Sequence, residues 1–186
     1  MIEYIPRHTE TPSKLLDVPT GWRPCETILA DIIERFKVAP RLAIEFGVEY
    51  GFSTSALASY FDTVIAVDHF KGDEHSGGKD IYGETFERLI RFRNVALERF
   101  GYREWIEGAG NIHADLIHVD IRHTYRDTYT LGQWAADHAK VVLFHDTLSF
   151  CGVRVAVERI AYETGRRFYN HENINGLGIL SRREPL

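Results

Sequence analysis

A glycine-rich turn between an apolar run and a Ser/Thr-rich segment constrains the fold of this chain more than any other feature. Residues 42–54 read LAIEFGVEYGFST, in which an apolar run ends at Glu45 and is followed by Gly47 and Gly51. Glycine is required where the backbone approaches a ligand closely or adopts a positive φ. The next apolar run ends in Asp68, whose carboxylate can accept hydrogen bonds from a ribose diol. Strand, glycine loop, helix, strand and acid together predict a nucleotide-type binding half-site.

The spacing of the glycines distinguishes between cofactors. A dinucleotide fingerprint requires G-x-G-x-x-G, whereas this chain has E-x-G-x-x-x-G without a third glycine. The pattern resembles motif I of class I S-adenosylmethionine-dependent methyltransferases, and the resemblance extends from about Leu42 to Leu180. It implies S-adenosyl-L-methionine as the cofactor. The residues that it implies for cofactor binding are Glu45, Gly47, Gly51, Ser53, Asp68 and Asp120. An ordinary βαβ unit with a tight turn is the alternative interpretation.

Alternating apolar and amphipathic segments predict an α/β fold. We expect a Rossmann-like, doubly wound, mostly parallel seven-stranded sheet with helices on both faces. The predicted strands cover residues 41–46, 63–68, 103–107, 114–119, 140–144, 167–171 and 176–180, and the predicted helices cover 26–36, 52–60, 81–100, 124–138 and 153–164. Residues 1–40, an irregular segment plus a helix, are expected to form part of the same domain as the methyltransferase region 41–186.

Ionisable side chains stand at the ends of several predicted strands. Glu45, Asp68, Asp120 and the pair His145-Asp146 all occupy such positions. Ligands of open α/β sheets bind beyond the carboxyl ends of the strands. We therefore expect these side chains to share one polar site.

Two short motifs predict the chemistry of that site. Asp120 and His123 lie in HVDIRHTY, and the next predicted strand ends in FHDT at His145 and Asp146. These motifs resemble a small-methyltransferase group that includes macrocin O-methyltransferase and the cephalosporin hydroxylase-like proteins, and more distantly the metal-dependent catechol O-methyltransferases. The resemblance implies catalysis by Asp120, His123 and Asp146, with His123 as the base. It also implies a metal site at Asp120, His145 and Asp146.

Elementary chemistry supports these roles. A divalent ion held by carboxylates lowers the pKa of a bound hydroxyl, and an imidazole titrates in the range needed to accept its proton. Carboxylate oxygens favour Mg²⁺, whereas a His145 ligand would shift the preference toward Mn²⁺, Fe²⁺ or Zn²⁺. His145 could instead contact substrate or orient Asp146. Asp120 and Asp146 could alternatively cap helices, and His123 could bond to the backbone.

Other residues near these motifs also have two interpretations. Arg122 stands where the related proteins usually have glycine, and it could bind an anionic substrate group or face solvent. The polar loop 69–79 could touch the ligands or be solvated. His118, inside a predicted strand, is expected to pack in the core. Trp105 and Ile106 could contact adenine, although core packing is the expectation for both.

Composition and charge limit the partners. A chain of 186 residues with 44% hydrophobic content suits one domain. The net charge of −5 gives no general attraction to nucleic acid or anionic membrane, and no apolar run reaches the ~20 residues that a membrane span needs. No signal peptide is evident, and Cys25 and Cys151 are expected to be reduced, buried thiols. These features predict a cytoplasmic protein. With no separate substrate domain, the resemblance to the methyltransferase family implies a homo-oligomer.

The sequence as a whole predicts an S-adenosylmethionine-dependent methyltransferase. The expected reaction is O-methylation of a small hydroxylated molecule, sugar-like or natural-product-like, with divalent-metal assistance left open. A competing interpretation is an NAD(P)-dependent Rossmann oxidoreductase, against which the missing third glycine and the missing Tyr-x-x-x-Lys pair both count. A hydroxylase-like enzyme or a non-catalytic cofactor-binding protein would carry the same fold, because fold does not fix reaction.

Overall fold

The described residues fold around a single mixed β-sheet. The computed structural model describes residues 1–72, 78–173 and 175–186. The strands are β1 (Ile2–Glu3), β2 (Leu42–Phe46), β3 (Thr63–Asp68), β4 (Val95–Arg99), β5 (Ala114–Val119), β6 (Ala139–His145), β7 (Arg167–His171) and β8 (Leu177–Ser181). The helices are α1 (Leu29–Arg35), α2 (Phe52–Leu57), α3 (Tyr82–Leu89), α4 (Tyr102–Gly108), α5 (Tyr125–His138) and α6 (Cys151–Thr164), and a 3₁₀ turn at Cys25–Ile28 precedes α1.

The strand order, β1-β7-β8-β6-β5-β2-β3-β4, is that of a doubly wound sheet. Only β8 runs antiparallel to its neighbours, β6 and β7. The order reverses between β2 and β5, which are adjacent and parallel. Such a reversal opens a crevice at the carboxyl ends of the strands, where α/β proteins bind ligands. The predicted α/β, mostly parallel architecture is confirmed.

The sheet has eight strands instead of the predicted seven. The additional strand is β1, within a segment that was expected to be irregular. Ile2 and Glu3 pair in parallel with Tyr169 and Asn170 of β7. This pairing joins segments far apart in sequence, so no local pattern predicts it.

The prediction was wrong between residues 81 and 107. The expected helix 81–100 ends at Leu89, and β4 follows at Val95–Arg99. Between these two elements the side-chain amide of Asn94 donates to the carbonyls of Ala58 and Phe61, at 2.9 Å each. The expected strand 103–107 is part of α4. Pairing with β3 and helix packing therefore override the local pattern in both segments.

Two hydrophobic clusters form the core. One lies beneath α1 and α2, and the other lies beneath α4, α5 and α6. Trp105 and Ile106 pack against the second cluster, as expected. Both cysteines are free thiols, but Cys151 is exposed and not buried as expected, because it begins α6 at the surface. No helix among the described residues has the length and apolar character needed to cross a membrane.

Candidate active site

The glycine loop lies directly against the end of β5. Gly47 has φ +89°, and a Cβ at this position would overlap the carbonyl oxygen of Asp120. The Asp120 amide in turn donates to the carbonyl of Phe46 at 2.8 Å. Gly51 has φ +85° and a Cβ there would lie 3.0 Å from Leu89. Both glycines are thus required by backbone conformation, and Gly47 also brings the loop into contact with the Asp120 backbone.

Asp68 fastens the same loop to the end of β3. Its carboxylate accepts hydrogen bonds from the amides of Val48 at 2.8 Å, Glu49 at 3.2 Å and Phe70 at 2.7 Å. A carboxylate offers about four acceptor sites. Asp68 therefore orders the glycine loop and keeps acceptor capacity, which is compatible with the predicted contact to a ribose.

Glu45 lies beneath the glycine loop instead of on its open surface. It is fully buried, accepts a hydrogen bond from the Thr54 hydroxyl, and lies 3.0 Å from Nδ1 of His118. The Trp22 indole N–H donates to the other ring nitrogen of His118 at 3.1 Å. Because Nε2 of His118 accepts this hydrogen bond, Nδ1 carries the proton that is donated to Glu45. His118 is a core residue, as predicted. Cofactor contacts of Glu45, and of the buried Ser53, stay predictions.

Four side chains from the ends of β5 and β6 converge beside the loop. His123 Nε2 lies 2.8 Å from Asp146 Oδ2 and 3.5 Å from Asp120 Oδ1. His145 Nδ1 lies 3.2 Å from Asp120 Oδ2 and 3.2 Å from Asp146 Oδ2. The fold therefore brings together all the residues predicted for catalysis and for metal binding. Asp146 adopts φ +63°, an uncommon conformation that directs this residue away from the strand path.

Neither aspartate caps a helix. The hydroxyl of Thr124 caps α5 by accepting a hydrogen bond from the Asp127 amide at 3.1 Å. Helix α6 begins after Phe150 without any side-chain cap. The helix-cap interpretation of Asp120 and Asp146 is therefore wrong, and their carboxylates face the two histidines.

The histidines and aspartates of the cluster shift one another's pKa values. Burial alone would raise the pKa of Asp120, but the charge of His145 and hydrogen bonds from His123 and His145 hold it well below its usual range. Burial opposes the charged form of His123, yet the bonds and charges of Asp120 and Asp146 raise its pKa to about 9. The pKa of His145 is likewise raised, against burial, chiefly by Asp120. The cluster thus favours protonated imidazoles beside ionised carboxylates.

Part of this cluster suits a divalent cation. One ligand atom each from Asp120, His123 and Asp146 lie within 4.8 Å of one another. Nε2 of His123 is buried and lies 2.8 Å from Asp146 Oδ2. Two carboxylates and an imidazole suit several divalent ions. This group contains His123 in place of the predicted His145. Nδ1 of His145 lies 3.2 Å from a carboxylate oxygen of each aspartate. Metal ligation by His145 stays a prediction.

An aromatic contact to His123 was not predicted from the sequence. The Phe150 ring stacks on His123 with centroids 4.2 Å apart and planes 14° apart. Phe150 and Leu148 are each 36% exposed, and Tyr125 is 43% exposed. The aromatic and aliphatic residues that follow FHDT were the available signal. Arg122, which precedes His123 in sequence, is exposed, so both of its interpretations stay open. Residues 73–77 of the predicted ligand loop lie outside the described residues.

Comparison with known families decides the classification. Residues 44–147 match a family model described as a methyltransferase domain, which is more than half of the chain. The chain belongs to this methyltransferase family. The match includes residues 44–46 of β2, the glycine loop and the whole Asp120–Asp146 cluster.

Solved structures of methyltransferases share the fold. A proposed caffeoyl-CoA O-methyltransferase of Staphylococcus aureus is 16% identical, with a TM-score of 0.68 over 88% of this chain and 85% of that one. The O-methyltransferase of Bacillus cereus in complex with S-adenosylhomocysteine is 16% identical, with a TM-score of 0.65 over 89% and 83%. TomG of Streptomyces achromogenes, an O-methyltransferase in complex with S-adenosylmethionine, is 16% identical, with a TM-score of 0.58 over 81% and 76%. The fold is that of the class I S-adenosylmethionine-dependent methyltransferases.

One sequence relative is a much longer protein. The uncharacterized protein y4gI of Sinorhizobium fredii is 34% identical over 122 residues, which cover 58% of this chain and 13% of y4gI. The methyltransferase thus spans about an eighth of the length of that relative. The resemblance to the macrocin O-methyltransferase group stays a prediction.

Proposed function

We propose that this methyltransferase transfers a methyl group from S-adenosylmethionine to a hydroxyl of a small molecule. The observation that carries the proposal is the convergence of Asp120, His123 and Asp146 beside the glycine loop. The loop and the acidic strand end at Asp68 supply a cofactor half-site, and the cluster supplies a proton acceptor next to it. The O-methyltransferases of similar fold that hold S-adenosylmethionine or its product support this assignment.

The cofactor in this proposal lies across the loop at the switch point between β2 and β5. Gly47 and Gly51 give the loop its positive φ angles and its close packing against Asp120 and Leu89, and in this proposal Asp68 accepts the ribose hydroxyls. Asp120 follows β5 at the same crevice, so its carboxylate would lie beside both the cofactor and the acceptor.

The proposed chemistry is in-line displacement at the methyl carbon. The acceptor hydroxyl gives its proton to Nε2 of His123 while its oxygen bonds to the methyl carbon. The bond from that carbon to sulfur breaks, and sulfur keeps the electron pair, which gives S-adenosylhomocysteine. Asp120 and Asp146 stabilise the imidazolium that forms. Because the sulfonium is already a reactive donor, alignment of the two reactants supplies much of the remaining acceleration.

A divalent ion would fit between Asp120, His123 and Asp146 and would lower the pKa of a bound acceptor hydroxyl. Nε2 of His123 can hold a proton or a metal ion but not both. His145 would keep both carboxylates oriented in either case. Metal assistance and the role of His123 as base are therefore separable by experiment.

The acceptor in this proposal has hydroxyl groups and an apolar face. The exposed ring of Phe150, which stacks on His123, would cover that face, whereas the carboxylates would face the hydroxyl. A sugar or a hydroxylated natural product satisfies both requirements. We propose that the pocket is completed by the N-terminal segment or by a second copy of the chain in a homo-oligomer.

Methyl transfer from labelled S-adenosylmethionine to a panel of hydroxylated small molecules tests the proposal. The Asp120→Asn variant should lose at least about a hundredfold in rate, because the imidazolium would lose an ionised partner. Asp62→Asn changes an exposed aspartate at the opposite edge of the sheet and serves as the matched control. Equal transfer by wild type and Asp120→Asn would remove Asp120 from the mechanism.

A further inference from the structure

A second cleft, with basic walls, lies at the amino ends of β5 and β6, whereas the candidate active site lies at their carboxyl ends. Its volume is about 530 Å³, within the usual range for small-molecule sites. It is bounded by the residues before β5, the junction of α5 with β6, and the chain after β8. β5 is six residues long, so the cleft lies roughly 20 Å from Asp120 at about 3.3 Å per residue.

Three guanidinium groups line this cleft. Arg166, Arg182 and Arg183 all contribute to its wall. The only carboxylate side chain among the described lining residues is that of Asp137. Lys140, which also lines the cleft, is already paired with Asp115 at 2.9 Å. The cleft is therefore locally positive in a chain whose net charge is −5.

Arg166 is held in place without a carboxylate within ion-pair distance among the described residues. Its guanidinium donates to the carbonyls of Lys140 at 3.0 Å, Ala139 at 2.8 Å and Ala136. Its Nε is buried, with no hydrogen-bond partner in the part of the chain that the structure describes. Burial and the nearby Arg182 charge lower the pKa of Arg166. A buried cation repelled by a second cation is stabilised by an anion placed between them.

A stack of aromatic rings reaches the same cleft. Trp134 stacks on His138 with centroids 4.3 Å apart, and His138 stacks on His113 at 5.4 Å. His113 is exposed and both histidines line the cleft. The outer face of His113 can therefore receive a planar ring beside the arginines.

We propose that this cleft binds a small aryl phosphate. The guanidinium groups of Arg182 and Arg183 contact the phosphate, Arg166 supplies the fixed positive charge behind it, and His113 stacks on the ring. Arginine suits this task because its planar array of donors matches phosphate oxygens. The cleft is separate from the proposed methyl-transfer site, so its ligand would act as an effector or as an anchor.

Titration calorimetry with phenyl phosphate and inorganic phosphate at constant ionic strength tests this proposal. We expect wild-type protein to bind phenyl phosphate with a dissociation constant below about 1 mM, and inorganic phosphate about tenfold more weakly. The Arg182→Gln/Arg183→Gln variant should weaken both by at least about tenfold. The Arg7→Gln/Arg159→Gln variant, which removes two exposed charges elsewhere, should leave both unchanged.

Each part of the proposal has a contradicting result. Equal weakening of phosphate binding by the two double variants would show a general charge effect and overturn the phosphate site. Absence of binding to the wild-type protein at about 10 mM ligand would also overturn it. The His113→Ala variant should abolish the advantage of phenyl phosphate over inorganic phosphate. An unchanged advantage would overturn stacking on His113. Thermal unfolding of every variant establishes that loss of binding is not loss of fold.

Discussion

Gly47 packs against the backbone of Asp120 so closely that no side chain fits between them. A Cβ at residue 47 would overlap the Asp120 carbonyl oxygen. The contact joins the ends of β2 and β5, which flank the point where strand order reverses. Through it, the proposed cofactor loop and the first carboxylate of the proposed acceptor site share one backbone junction.

Gly47→Ala should therefore disturb both the loop and Asp120. The substitution adds a steric clash to the strain of φ +89°, and we expect a loss of more than about 3 kcal/mol of stability. Gly110→Ala is the matched control, since Gly110 has φ +59° with nothing within 4 Å of an added Cβ. It should cost only about 1–2 kcal/mol. Urea unfolding measures both, and equal losses would contradict the packing argument.

The rate of methyl transfer should depend on the protonation of His123. A base acts only when it is deprotonated, and the pKa of His123 is raised to about 9. In the absence of divalent ions, kcat/KM should therefore rise with pH up to about 9 and then level off. A bound metal ion would displace the proton and move this rise to lower pH. The His123→Gln variant should lose the rise, and an unchanged profile would exclude His123 as the base.

Divalent ions should stabilise the folded protein through Asp120, His123 and Asp146. An ion that binds only the native state adds about 2.7 kcal/mol at a hundredfold excess over its dissociation constant. Thermal unfolding with Mg²⁺, Mn²⁺ or Zn²⁺, against a chelator, measures this shift. Asp146→Asn should abolish it, whereas Asp62→Asn should keep it. A shift of equal size in both variants would place any metal elsewhere.

The hydrogen-bonded chain from Trp22 through His118 to Glu45 should stabilise the N-terminal segment on the sheet. Trp22→Phe removes the buried indole donor and should cost about 1–3 kcal/mol, because an acceptor on His118 is left unpaired. Trp134→Phe is the control, because Trp134 makes ring contacts but its indole N–H has no hydrogen-bond partner among the described residues. Urea unfolding compares the two. An equal cost for both variants would assign the effect to lost volume alone.

Sequence patterns predicted buried strands well and half-exposed ones poorly. The bounds of β3, β5 and β7 equal the predicted ones. Of these, β3 and β5 are parallel to both neighbours and carry the nearly continuous apolar runs that are typical of buried parallel strands. β4 reads VALER and its residues are only partly buried. Its hydrophobic pattern therefore could not be distinguished from that of the preceding helix. The pairing of β1 with β7 depends on the tertiary fold alone.

The candidate active site likewise has a part that the sequence predicted and a part that depends on the tertiary fold. Convergence of Asp120, His123, His145 and Asp146 was predictable because parallel strands end at one edge of the sheet. The burial of Glu45 beneath the loop was not, because its partner His118 lies 73 residues away in sequence. A histidine inside the apolar run ADLIHV was the one visible sign of a buried polar partner.

Calorimetric titration with S-adenosylhomocysteine and with NAD tests the central claim most directly. We predict binding of S-adenosylhomocysteine at one site per chain, with no measurable binding of NAD. Asp68→Ala should weaken this binding by about tenfold or more, because the ribose hydroxyls and the loop amides lose their acceptor. Binding of NAD without binding of S-adenosylhomocysteine would contradict the proposed methyl donor and reassign the half-site to a dinucleotide.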